Sequence, residues 1–201
     1  MSDIARRIGN LPTTPAEDAV RSFARRAFAE GTARIAFGSV PSPIGELTAL
    51  VTHQGLLALA FETDDLDEIM RSVARKVSPA IIRLPSAVGP VHSWLDAYFG
   101  ARPVPELRLD RSLITPYQDR VLAATAGIPL GEVRTYGEVA ALAGNPKAAR
   151  ATGRALGANP MPIVLPCHRV VAADGSLHGY AGGLDLKRLL LDHERKTATR
   201  R

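Results

Sequence analysis

From Arg34 the chain reads RIAFGSVPSPIGELTALVTHQGLLALAFET, short apolar stretches separated by the turn formers PSPIG and HQG. Runs of this length and punctuation predict a meander of antiparallel strands. The period then changes: in DDLDEIMRSVARKV, Leu66, Ile69, Met70, Val73 and Val77 recur at helical spacing, which predicts a helix with one buried face. A second helix is predicted over PSAVGPVHSWLDAYFG, closed at Gly100. Ahead of these elements, residues 1 to 33 are polar and arginine-bearing. Within them Thr14 as N-cap and Pro15 at the first helical position predict a short helix over DAVRSFARRAFAEG.

After the proline-bearing connection ARPVPELRLD the helical period returns, and Thr115-Pro116 opens a helix over TPYQDRVLAATAGI. A tight turn at IPLGEVRT leads to a short helix, YGEVAALAG, and the Asn145-Pro146 break separates it from a third, KAARATGRALGAN. Two short helices joined by a few turn residues form a helix-turn-helix pattern. The expected architecture is therefore an N-terminal extension over 1–33, then an α/β N-terminal domain over 34–111, a small antiparallel sheet with helices. A mostly α C-terminal domain containing the helix-turn-helix follows over 112–201.

Composition narrows the class. With 46% apolar residues in 201, the chain can bury a core, which argues against disorder. No run of eighteen apolar residues occurs, and the start MSDIARRIGNLPTTPAED breaks into charges and prolines before a signal-peptide core could form. No membrane partner and a cytoplasmic location are expected. One cysteine leaves no internal disulfide and no multi-cysteine zinc site, and suits a reducing compartment. The net charge of +5 is unevenly spread: residues 1–111 hold 13 Lys and Arg against 13 Asp and Glu, residues 112–201 hold 12 against 7. The basic excess lies wholly in the second half, as a solvated face or as a contact for a polyanion.

Two stretches carry candidate chemistry. In the third helix of the second half the side chains are nearly all tiny or cationic: Ala148, Ala149, Arg150, Ala151, Gly153, Arg154, Ala155 and Gly157. Two glycines in a short helix cost about 1 kcal/mol each relative to alanine, so close approach to another surface should compensate. That surface is either a neighbouring helix or a DNA groove, with Arg150 protruding as a wedge or phosphate contact. The second stretch is PMPIVLPCHRVV, where Cys167 sits in a proline-flanked turn beside His168 and Arg169, with the helix pattern DLKRLLLDHE nearby. A lone cysteine is often inert core filler. A reactive one needs a base or a positive charge at hand, and a histidine ordered by a carboxylate is a common arrangement, which makes Cys167, His168 and Glu194 the candidates. Neighbours on an extended chain point opposite ways, so His168 reaches the sulfur only through a turn or a water. The glycine-rich AADGSLHGYAGGLDLK is either a surface loop or a wall whose backbone approaches a planar ligand.

TYGEVAALAGNPKAARATGRALGANPMPIVLPCHRVV, followed by DGSLHGYAGGLDLKRLLLDHE, closely resembles the O6-alkylguanine-DNA alkyltransferases, also called methylated-DNA--protein-cysteine methyltransferases. The resemblance is dense over 112–194 and looser over SPIGELTALVTHQGLLALAF, while residues 1–33 lie outside it. It implies that Cys167 is the acceptor nucleophile, activated through a water by His168, itself oriented by Glu194, with Asn159 bracing the turn and Lys187 close to the site. Tyr136 presses on a phosphate and bonds the flipped base, and Arg150 fills the gap left in the stack. Ala149, Gly153 and Arg154 share the DNA-facing helix, docked in the minor groove. The Val170 and Cys167 carbonyls accept hydrogen bonds from the base, and Leu156, Tyr180 and Ala181 line its pocket.

The implied activity is irreversible transfer of the alkyl group from O6-alkylguanine, and from O4-alkylthymine, in double-stranded DNA to Cys167, once per molecule. No cofactor and no metal are expected. The protein is expected to be a monomer in solution, and the resemblance allows cooperative packing on DNA. Some members carry serine where this chain has Ala181, and often tryptophan where it has Leu189. The cysteines that hold zinc in the first domain of other members are absent, so His53, His92, His178 and His193 are expected at the surface or in packing. Two rival classes remain. One is a non-catalytic damaged-DNA-binding or helix-turn-helix regulatory protein, whose alkyltransferase-like form lacks the cysteine. The other is a cysteine hydrolase, which would leave the basic helix idle.

Overall fold

A computed structural model describes residues 14–200; the first thirteen residues of the expected extension lie outside them. Helix α1 (Pro15–Ala29) starts where Thr14-Pro15 predicts. Thr14 and Glu17 form a reciprocal capping box, and the helix buries Ala24 and Ala27. Strands β1 (Ile35–Ser42), β2 (Gly45–Thr52) and β3 (Gly55–Phe61) make the predicted antiparallel meander. Helix α2 (Leu66–Lys76) follows, capped by Asp65. The sheet gains a fourth strand that the pattern did not announce: β4 (Ile81–Arg83), paired parallel to β1 through Ile35 and Ile81, gives the order β3-β2-β1-β4. The helix predicted over 85–100 is broken in two, a 3₁₀ turn at Pro85–Val88 and then α3 (Gly89–Phe99).

The connection to the second half is stitched to the sheet. Gly55 has φ +140, and a Cβ there would stand 2.1 Å from the Arg108 carbonyl oxygen, so only glycine lets the strand and the connection approach. Leu56 N–H donates to Arg108 O at 2.8 Å, and Asp110 N–H to Leu56 O at 2.8 Å.

The second half contains α4 (Pro116–Ala126), β5 (Arg134–Thr135), α5 (Tyr136–Leu142), α6 (Ala149–Gly157), a 3₁₀ turn at Cys167–Arg169, β6 (Val170–Val171) and α7 (Gly183–Ala198). The two-residue strands β5 and β6 pair in parallel, setting the start of α5 beside the end of the Cys167 turn. Thr135 and Glu138 form a capping box at the head of α5. Buried Gln118 of α4 donates to Ala155 O at 3.1 Å and Ala158 O at 2.8 Å, and Tyr117 Oη lies 3.0 Å from Thr152 Oγ1, so α6 is pinned along its inner side. Leu47, Leu56, Leu59 and Leu95 of the first half belong to one continuous buried cluster with Val121, Leu122, Val139, Leu156, Met161 and Leu190 of the second. None of the described helices is long and apolar enough to cross a membrane.

Candidate active site

The segment from Met161 to Pro166 is largely buried, and it delivers the chain into the 3₁₀ turn that begins at Cys167. A 3₁₀ turn advances about 120° per residue, so Cys167 and His168 are not thrown to opposite sides as on a strand. Cys167 is 9% exposed. Asn159 Nδ2 donates to its Sγ at 3.3 Å and to Leu165 O at 2.8 Å, while Asn159 Oδ1 accepts from Met161 N–H at 3.0 Å. One side chain thus ties both ends of the segment to the sulfur. Burial pushes the thiol pKa up, and the pulls from Asn159 and Lys187 only partly offset it, so the thiol is the resting form.

His168 and Glu194 have no accessible side-chain surface, and His168 Nε2 lies 2.9 Å from Glu194 Oε1. Arg169 grips the same carboxylate twice, Nε to Oε2 at 2.7 Å and Nη2 to Oε1 at 2.8 Å, and uses Nη1 on Ile128 O at 2.6 Å. Tyr98 of α3 donates its hydroxyl to Oε1 at 2.8 Å, and Gly131 N–H approaches Oε2 at 3.5 Å. Gly131, at φ +83, leaves room for α7: a Cβ there would meet Ala198 Cβ at 2.9 Å. Burial alone would raise the Glu194 pKa, yet hydrogen bonds from His168 and Arg169 reverse it and hold the carboxyl below its ordinary range. For His168 burial outweighs the pull of Glu194, so the imidazole is neutral at physiological pH. The tautomer follows from the network: anionic Glu194 takes the Nε2 hydrogen, and Nδ1 carries the lone pair. Nδ1 is buried without a protein partner, and so is the Tyr180 hydroxyl. A neutral base with a free lone pair, one residue along the turn from a buried thiol, can accept its proton through a water.

A cleft of ≈ 20 Å³ opens on the sulfur, lined by Tyr136, Gly153, Leu156, Gly157, Asn159, Pro162, Cys167, Gly179, Tyr180 and Ala181. Tyr136 heads α5 and donates to His178 O at 3.3 Å. Lys187, fully buried, donates to Val170 O at 2.7 Å and to His178 O at 2.9 Å, fastening the glycine-rich loop to the Cys167 turn. Val170 is buried and does not line this cleft, and its carbonyl already has Lys187 as a partner.

On α6, Thr152 and Leu156 point inward and Ala149 is half-buried, while Arg150, Gly153, Arg154 and Gly157 share the opposite, i, i+3, i+4, i+7 face. A Cβ at Gly153 would meet only the Tyr136 ring, at 3.7 Å, and at Gly157 nothing within 4 Å. Helix-on-helix packing therefore does not require these glycines, and that reading of the small-residue helix falls away.

The histidines outside the site are engaged locally or exposed. His53 stacks on Phe28 with centroids 4.4 Å apart, His193 Nε2 bonds Tyr98 O at 2.9 Å, His178 Nε2 lies 3.0 Å from Ser176 Oγ, and His92 is exposed. Among the described residues no group of three His, Cys, Asp or Glu is arranged to hold a metal. Leu189 is 49% exposed. Sequence reasoning placed Arg169 beside the cysteine without finding its carboxylate partner, and it missed Gln118 and Tyr98 altogether. Arg169 at least carried a signal, a cation flanking a candidate nucleophile; Tyr98 carried none.

The family described as the DNA-binding domain of 6-O-methylguanine DNA methyltransferase matches residues 116–196. A methylated-DNA--protein-cysteine methyltransferase of Mycobacterium bovis is 39% identical over 168 residues, 82% of this chain and 94% of that protein. One of Methanosarcina acetivorans is 55% identical over 80 residues, 40% of this chain and 51% of that protein. Among solved structures, Mycobacterium tuberculosis OGT in complex with DNA is similar, with a TM-score of 0.69 and 37% identity over 81% of this chain and 94% of that one. An O6-methylguanine-DNA methyltransferase of Pyrococcus kodakaraensis matches with a TM-score of 0.60 and 25% identity over 80% and 98%.

Proposed function

The chain belongs to the methylated-DNA--protein-cysteine methyltransferase family, and from that premise we propose that it repairs DNA by taking the alkyl group of an O6-alkylguanine, or of an O4-alkylthymine, onto Cys167 Sγ, once per molecule. The observation that carries this reading is the free Nδ1 of a neutral His168, anchored on Glu194 next to the buried thiol of Cys167.

The chemistry belongs to a C-terminal domain over 112–201, with the α/β domain over 34–111 beside it. The duplex lies along α5 and α6, with the bare face of α6 in the minor groove and Ala149, Gly153, Arg150 and Arg154 towards the DNA. An alkylated base inside the stack cannot offer its alkyl carbon to a protein sulfur, so it is flipped out at a cost of a few kcal/mol. Arg150 takes its place in the stack, and Tyr136 presses on the adjoining phosphate and bonds the base. The cleft at Cys167 has room for one water but not for a purine, so the walls at Tyr136 and at Tyr180–Ala181 part as the base enters.

His168 Nδ1 then takes the thiol proton through one water, and Glu194 stabilises the imidazolium that results. The thiolate attacks the alkyl carbon and a C–S bond forms as the C–O6 bond breaks. Its electron pair leaves on guanine, which takes up the proton that the thiol gave up and His168 held, and returns to the duplex as the ordinary base. The product is a thioether, which none of the groups in this site cleaves.

The test is intact-protein and peptide mass spectrometry after mixing with a duplex bearing one O6-methylguanine, beside Cys167→Ala. The expected outcome is one added methylene on the Cys167 peptide, stopping at one per protein and absent from the variant. Binding to the duplex without any gain in mass overturns the reading in favour of a damage-recognition module.

A further inference from the structure

Glu194 takes one of its donors from outside the C-terminal half. Tyr98, near the end of α3, donates its hydroxyl to Oε1 at 2.8 Å. The same oxygen receives His168 Nε2 at 2.9 Å and Arg169 Nη2 at 2.8 Å. Tyr98 is 5% exposed and held in place: its ring stacks on Trp94 at 5.5 Å and meets Phe99 edge-on at 5.0 Å, and its carbonyl accepts from His193 Nε2 at 2.9 Å. Burial, with the neighbouring Glu194 charge adding to it, raises the phenol's pKa far above its ordinary value, so the hydroxyl stays a donor. A donor on Oε1 draws electron density from the atom that faces the imidazole, and it adds to the restraint that the two-point grip of Arg169 places on the carboxylate.

We propose that Tyr98 is a positioning residue for the transfer reaction: its hydroxyl fixes Glu194 Oε1 against His168 Nε2 and sets how strongly that oxygen favours a proton on the imidazole. This inference rests on the function proposed above. Besides the Cys167 thiol, the ionisable groups facing the pair are Arg169 from the 3₁₀ turn, Lys187 from α7, Tyr180 from the glycine-rich loop and Tyr98 from α3. Only Tyr98 belongs to the first half of the chain. His168 must be neutral to take the thiol proton, so transfer declines on the acid side as the imidazole charges. Without the phenol's hydrogen bond Oε1 is more basic, and the imidazole keeps its proton to higher pH.

The experiment measures single-turnover alkyl transfer from an O6-methylguanine duplex across the acid limb, using the full chain, Tyr98→Phe, and the chain with a ring-fluorinated tyrosine at 98. Tyr98→Phe keeps the packed ring and should slow transfer about tenfold, the scale of one hydrogen bond to a charged group. Its acid limb should move to higher pH, with duplex affinity unchanged. The fluorinated tyrosine, a stronger donor of nearly the same shape, should move the limb the other way, and it preserves the test if the phenylalanine variant does not fold. A wild-type rate and profile in Tyr98→Phe overturns the proposal. A slower variant with an unmoved limb does so too, since it marks a structural role only, as does an unmoved limb with the fluorinated residue. If the unaltered chain takes no alkyl group on Cys167, the functional reading itself fails.

Discussion

Glu194, with no accessible surface, collects hydrogen bonds from Tyr98, His168 and Arg169, and its charge is answered entirely within the chain. On α6 the balance is reversed. Arg150 and Arg154 are exposed, and among the described residues neither side chain has a hydrogen bond or ion pair, while a Cβ at Gly157 would meet nothing within 4 Å and one at Gly153 only the Tyr136 ring. The buried network is complete as folded, so its design is explained by what it holds. The helix face is incomplete as folded, so its design is explained by what it is for. A surface that forgoes helix propensity and ion pairing without an internal reason points to a polyanionic partner.

Glu194→Gln leaves Arg169 and a charging His168 without their anion, and should slow transfer about a hundredfold or more. It should also destabilise the fold by about 3 kcal/mol or more, read from the melting temperature. The same variant sharpens the pH behaviour. The folded-state pKa of His168 lies below its ordinary 6.5, so the unfolded chain binds the proton first and stability falls as pH drops below that value. The depressed Glu194 adds stability above its ordinary 4.5 that is lost as pH falls through the folded-state pKa. Melting curves against pH should therefore steepen in two stages on the acid side, and Glu194→Gln should lack the second; an unchanged profile contradicts the account of the network.

On α6 the effects are smaller and depend on DNA. Arg150→Ala should leave the melting temperature unaltered while weakening duplex binding and lowering the salt slope of log K by about one if the residue neutralises a phosphate. A slope and a duplex affinity both equal to those of the unaltered chain would remove it from the DNA face. Gly153→Ala should raise stability by up to about 1 kcal/mol, because the added methyl fits against the Tyr136 ring, yet it should reduce duplex affinity. A variant that is both more stable and equally tight would show that the slim face serves no groove.

The legibility of the sequence follows the same division. Helix starts marked by Thr-Pro pairs at 14 and 115, the 3.6-residue period of α2 and the turn residues between β1, β2 and β3 are local signals, and each appears where it was expected. Strand β4 is three residues long between prolines 79 and 85, too short to show a period, and its parallel pairing is a tertiary choice. The Cys167, His168 and Glu194 set emerged because two of its members are neighbours and the third sits in an evident helix. Tyr98 was invisible because nothing near it in the chain marks it as polar in function. It reads as one more apolar position of α3, and only the fold brings it to a carboxylate 96 residues away.

β3 is an edge strand, and such an edge ordinarily invites other chains to pair with it. Here Leu59 N–H is taken by Pro160 O at 2.8 Å, at the entrance to the cysteine segment, and Leu56 is taken by the Arg108–Asp110 connection. The loop that presents the sulfur therefore also shields the sheet from self-association. Until that loop folds against it, the stretch of β3 around Leu59 keeps an unpaired N–H on the sheet's edge, where another chain could pair.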